Sequence, residues 1–209
     1  MSRSQDFLLL SSNHKEFINM KQYRNSERTK KWIRRAFIEL IAEKKSINKI
    51  TINELAERAD ITKTTFYYHY EDIYAVAEEF ENELIAKLNA TLDEIINENP
   101  KDYSGYIKKV LEFIKENEDD YRLAVNASDL TVFASTLKSI FSKRMVVTAT
   151  AWGFSPDYEK RTVQVYFLVS ACVDTVIQYL KGNLASSIDM IGEVVTEAVE
   201  KLRDRNELH

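Results

Sequence analysis

Apolar residues recur at three- and four-residue steps along most of this chain, which predicts helices rather than strands. Ser26 reads as the N-cap of the first stretch, where Ile33, Ala36, Phe37, Leu40 and Ile41 share one face. Lys30, Lys31, Arg34 and Arg35 lie mostly off that face. After the break KKSINKI, Thr51 with Glu54 three residues on forms a capping-box pattern and opens the short helix ITINELAERA. Thr62 is positioned to cap a second short helix, TKTTFYYHY. Asp72 then caps a long helix that runs to about Asn97 and stops at Asn99-Pro100. Further helices are expected at about 103–117, near 119–126, and at about 130–151. A strongly apolar one follows at about 157–181, ending at Gly182, a natural C′ residue. The last starts near Ser186 or Ser187, and Ile188, Ile191, Val195, Ala198 and Leu202 repeat there as a heptad-like seam.

Composition agrees and narrows the chemistry. The 209 residues include only 4 Gly and 2 Pro, against roughly 7% and 5% in average proteins. Tight hairpins and phosphate-cradling loops both need glycine, so the fold class is all-α. The single Cys172 excludes an internal disulfide and a cysteine-based zinc site. His14, His69 and His209 are too scattered for a metal trio, and Gly105, Gly153, Gly182 and Gly192 make no phosphate loop. Neither catalytic residues, a metal nor a cofactor are expected.

Residues 1–25 show no period and are expected to be a disordered extension, with Met20 an alternative start. The run Phe7-Leu8-Leu9-Leu10 is too short for a signal sequence. Only about 162–180 approaches membrane-spanning length, and Gln164, Asp174 and Gln178 interrupt it. It reads as a core or interface helix of a cytoplasmic protein.

The net charge of −4 divides unevenly. Residues 21–75 carry 12 Lys and Arg against 8 Asp and Glu, and residues 76–209 carry 15 against 23. A basic first part on an acidic body suits contact with a polyanion at one end, or simply solvated helix faces. The two short helices at about 51–70 make a helix-turn-helix. Leu55, Ala56, Ala59, Ile61, Phe66 and Tyr70 supply its packing, and Lys63, Thr64, Thr65, Tyr67 and His69 remain outward. That polar and aromatic face fits a DNA major groove, where Lys reaches phosphate or guanine and Thr the thymine methyl. A plain αα-hairpin with a solvated face has the same pattern.

The segment RTKKWIRRAFIELIAEKKSINKITINELAERADITKTTFYYHYEDIYAV resembles the DNA-binding domain of the TetR family of transcriptional regulators, most tellingly in TTFYYHYED. The resemblance implies a three-helix DNA-binding domain at 26–72 and a helical ligand and dimerisation domain at 73–209. It makes Thr62, Lys63, Thr64, Thr65, Tyr67 and His69 DNA contacts from the reading helix, with Thr51 and Asn53 meeting phosphate. This sequence departs from the family at Asp60, where glycine is usual, and at Ile73, where a phosphate-binding lysine is common.

One helix-turn-helix buries too little surface to specify an operator, so such modules pair on palindromic double-stranded DNA. The last two helices offer the homodimer interface, with Phe167, Cys172, Ile177, Ile191, Val195, Ala198 and Leu202 as its candidates. Closing the protomer's own core is the other use for those helices. The resemblance also implies an effector pocket in the body. Its aromatics suit a small apolar or aromatic molecule, and the candidates are Tyr106, Phe113, Phe133, Phe141, Trp152, Tyr166 and Asp174. The expected function is a dimeric repressor released by such an effector; the alternative is a co-activator or ligand-independent DNA-binding or adaptor protein of the same fold.

Overall fold

The computed structural model describes residues 25–127 and 130–203, and among these every regular element is helical. The expected extension at residues 1–25 lies, but for Asn25, outside the described residues. Two compact units divide between Val76 and Ala77.

In the first unit, α1 covers residues 25–44 and buries Ile33, Ala36, Phe37, Leu40 and Ile41 along one side. Asn25 is already helical, so Ser26 lies inside the helix and does not cap it. Lys45, at φ 57°, turns the chain into a short 3-10 segment, Ile47–Lys49, and Ile47 and Ile50 close the bottom of the core. Next come α2 (Ile52–Arg58) and α3 (Lys63–His69), packed against each other through Leu55, Ala56, Ala59 and Phe66, all buried. The first turn of α4 (Ile73–Glu98) completes this unit, with the Asp72 carboxylate accepting from the Ala75 amide at 2.8 Å.

The second unit holds the rest of α4 together with α5 (Tyr103–Glu116), α6 (Glu118–Ala127), α7 (Leu130–Thr148), α8 (Tyr158–Leu180) and α9 (Ile188–Leu202). The expected helix at 130–151 ends at Thr148 and tightens into a 3-10 turn, Ala149–Trp152, closed by Gly153 at φ 81°. That positive φ favours glycine, and a β-carbon there would also press on the Arg203 guanidinium at 3.0 Å, which would have to shift slightly. Around α8 pack α6, α7 and α9, and α9 also lies on α5. Arg122 of α6 donates to the Leu180 carbonyl at 2.6 Å, satisfying the C-terminal end of α8. Glu118 accepts from Arg122 at 2.7 Å and from the Tyr179 hydroxyl at 2.8 Å, which fixes that guanidinium in place.

By length and composition α8 could cross a membrane. In this fold its inner side, Val165, Leu168, Val169, Val173, Ile177 and Leu180, is buried in the helical body.

Candidate nucleic-acid interface and the cavity of the helical body

The short helices of the first unit owe their placement to their caps. At α2 the Thr51 hydroxyl accepts from the Glu54 amide at 3.3 Å, and the Glu54 carboxylate accepts from the Thr51 amide at 3.0 Å. Lys44 completes the set by donating to Glu54 at 2.6 Å and to the Lys49 carbonyl at 2.8 Å. The Lys44 ammonium, and then the Thr51 hydroxyl and amide, hold the Glu54 carboxyl at about 2. These bonds pin the loop before α2 to the end of α1.

The turn into α3 passes through Asp60 at φ 54°, in the left-handed region. Its neighbour Ile61 donates its amide to the Ala56 carbonyl at 2.9 Å, closing α2 as a glycine turn would. Thr62 then caps α3, accepting from the Thr65 amide at 3.1 Å with the two hydroxyls 2.8 Å apart. Phe66 and Tyr70 are buried behind the helix.

What α3 leaves outward is a compact row. Thr62, Lys63, Thr64 and Tyr67 are exposed, and the Lys63 ammonium has no partner among the described residues. The Tyr67 ring is 57% exposed and meets Phe66 edge-on at 5.6 Å. Thr65 and His69 are only half-buried rather than outward, because the Thr62 cap draws Thr65 in and Tyr68 covers His69 edge-on at 5.1 Å. Tyr68 itself, absent from the expected set, is 72% exposed. The signal for it was one helical turn from Thr64, the same step that relates Tyr67 to Lys63. Thr51 and Asn53 are both exposed at the start of α2. Near them Tyr74, on the first turn of α4, donates its hydroxyl to Asn48 Oδ1 at 2.7 Å, a pair that no sequence motif announced.

Between α4, α5, α6, α7, α8 and α9 lies a cavity of about 110 Å³ with an apolar wall. Of the aromatic candidates, Tyr106, Phe133 and Phe141 line it. The others stand elsewhere. Trp152 packs behind Tyr106 at 5.1 Å and donates its indole N–H to the Pro100 carbonyl at 2.8 Å. Phe113 lies edge-on to Tyr121 at 6.3 Å, one layer outside the wall. Tyr166 faces outward on α8, and Asp174 is exposed and paired with Lys138 at 2.8 Å. A carboxylate paired with a cation and open to water gains nothing by entering an apolar space. Much of the wall is aliphatic, including Leu168, Val169 and Val173 of α8, which an aromatic-centred reading passed over.

The candidates for a dimer interface also separate by side. Ile177 and Ile191 are buried within the protomer, and Cys172 and Val195 line the cavity. Burial pushes the Cys172 thiol up to about 11, so it stays protonated and inert. Ala198 and Leu202 are half-buried, and the Leu202 carbonyl accepts from Gln164 at 3.0 Å. Phe167 alone of the seven is exposed, and with it stand Val163 on α8 and Met190 and Val194 on α9. An apolar helix has two apolar sides, and the one that faces inward was not readable from the pattern alone.

No family model matches the chain. No curated protein matches it by sequence. Among solved structures it is similar to one described as dihydroxyacetone kinase operon activator DhaS, at 15% identity and a TM-score of 0.47, over 83% of this chain and 93% of that one. At that distance, what this chain does has to be read from its own residues.

Proposed function

We propose that the chain is a sequence-specific, DNA-binding transcriptional regulator of the cytoplasm, acting as a homodimer on a palindromic operator and serving as a repressor released by a small apolar or aromatic effector. The observation that carries the DNA-binding reading is the outward row of α3. Lys63, Thr64, Tyr67 and Tyr68 are exposed on a short helix locked from behind by Phe66. Lysine and threonine at the start of such a helix reach base edges and phosphates, and the tyrosine hydroxyls reach phosphates beside them. An exposed polar row on a helix anchored by a buried Phe66 is what major-groove readout needs.

Release by an effector rests on the cavity. An apolar space of about 110 Å³ is of the order of engineered cavities that take up benzene, which suits one ring or a short hydrocarbon. Such a ligand loosens DNA only by favouring the protomer arrangement that does not fit the operator.

Selection from a random duplex pool by the full chain tests the central claim. An enriched inverted repeat is expected, with half-site centres about 34–36 Å or a multiple apart. Lys63→Ala is expected to weaken binding to it about tenfold. A pool with no enriched sequence would overturn the reading, as would Lys63→Ala binding that matches the parent. Benzene or toluene in the binding buffer is expected to lower operator affinity; unchanged affinity at saturating ligand would remove the effector half.

A further inference from the structure

The start of α4 carries no cation. Glu71 and Asp72 precede it, Asp72 is occupied as its cap, and Ile73 is buried. The first turn of α4 itself therefore offers a DNA phosphate no charged donor. The Tyr74–Asn48 pair has the right polarity for a neutral donor. The Tyr74 side chain is 55% exposed, and its hydroxyl donates to Asn48 Oδ1 at 2.7 Å. In water such a bond adds little stability, because solvent would serve either group as well. What it changes is direction. An asparagine amide has one accepting and one donating end, and with Oδ1 held by the phenol the Nδ2 group turns away from Tyr74. Its N–H groups have no partner among the described residues, and Asn48 is exposed.

The surroundings are built the same way. Lys49 follows at once, exposed, its ammonium free among the described residues and its carbonyl pinned by Lys44 at 2.8 Å. The Lys44–Glu54–Thr51 bonds hold the next turn of chain, and Asn53 stands exposed just beyond it. Neutral and cationic donors thus share one corner where the loop before α2 meets α4.

We propose that Tyr74 is a positioning residue that turns the Asn48 side-chain amide outward as a phosphate donor at the edge of the DNA interface, with Lys49 as its charged companion. The assignment rests on the DNA-binding reading above and extends it to the backbone contacts outside the reading helix.

Operator binding by the full-length chain across a salt series tests it. Tyr74→Phe keeps the ring, removes the donor and is expected to weaken binding about five- to tenfold. An asparagine contact releases no counterion, so the slope of log K against log salt stays unchanged; Lys49→Ala lowers that slope by about 0.9. Asn48→Asp keeps the oxygen that Tyr74 bonds but sets an anion towards the phosphate, and is expected to lose more than Tyr74→Phe. In an Asn48→Ala background, Tyr74→Phe is expected to cost nothing further. Equal thermal midpoints exclude a merely structural effect, and Asn48→Asp at an exposed position keeps the question answerable if Tyr74→Phe unfolds. Parental affinity in Tyr74→Phe or Asn48→Asp overturns the assignment, as does a Tyr74→Phe loss that persists without Asn48; binding by the parent chain shows that the broader reading survives. A parent chain that selects no duplex overturns both.

Discussion

Asp60 stands in the left-handed region at φ 54°, in a turn where only glycine is free of cost. Its short side chain tolerates the conformation, and a β-branched one does not. Asp60→Val is therefore expected to lower stability by about 1–2 kcal/mol, while Asp60→Gly is neutral or slightly stabilising; urea unfolding midpoints with unchanged m-values check both. Glu54 shows a different residue-scale effect. Its carboxyl is held at about 2, against an ordinary 4.5, by Lys44 first and Thr51 second. A lowered folded-state value stabilises the protein above the unfolded value, and the gain is lost as pH falls from about 4.5 towards 2. Parent stability is expected to fall across that window, and that of Glu54→Gln to be lower at neutral pH and to fall less. Parallel curves for the two proteins would remove Glu54 from the explanation. The Thr51–Glu54 capping box was legible because its spacing is local and fixed by backbone geometry. The Tyr74–Asn48 bond was not, since it joins residues 26 apart with no period between them.

Among the elements, α2 and α3 were read nearly to the residue, because each starts at a capping threonine and holds one small inward set. The reading of α8 placed the helix but mixed its sides. Apolar residues surround it almost fully, so periodicity could not say that Ile177 faces in and Phe167 out. Aromatics were a poor guide to the cavity for a related reason. Trp152 and Phe113 serve as packing one layer behind it, and α8 supplies much of the wall as Leu and Val. Phe133, buried on α7 and part of that wall, is where packing and cavity meet. Phe133→Ala removes a ring from an already imperfectly filled space and is expected to cost about 3–5 kcal/mol. Benzene is expected to recover part of that loss by occupying the enlarged site, seen as a higher thermal midpoint for the variant than for the same variant without ligand. A loss under 1 kcal/mol would mean that the surrounding helices collapse to fill the gap.

For the whole molecule, the uneven charge and the exposed apolar residues of α8 and α9 bear on one part of the proposed function, which is how two chains would share one operator. The segment at 21–75 carries a net +4 and the rest of the described body is acidic, so two chains would be drawn to DNA through their first units and need a neutral surface elsewhere to meet. Phe167, 68% exposed, Val163, Met190 and Val194 are the apolar side chains that would supply it, and exposed Lys160, Glu193 and Glu197 flank them along the same helices. Large apolar side chains left to water mark a contact site where they are contiguous. Phe167→Glu and Val194→Glu separate this from core packing. Both positions are open in the protomer, so the fold is expected to lose no more than about 0.5 kcal/mol. In a dimer each would bury an unpaired carboxylate, which costs several kcal/mol. Sedimentation equilibrium is expected to give twice the chain mass for the parent and once the chain mass for either variant, with circular dichroism unchanged. Operator affinity is expected to fall with the dimer, because two half-sites then bind separate molecules and the gain in effective concentration is lost. Ile177→Glu is the contrast, since it charges the protomer's own core and is expected to unfold it. A parent chain at single mass through micromolar concentrations, or a Phe167→Glu variant that remains a dimer, would move the interface off this face.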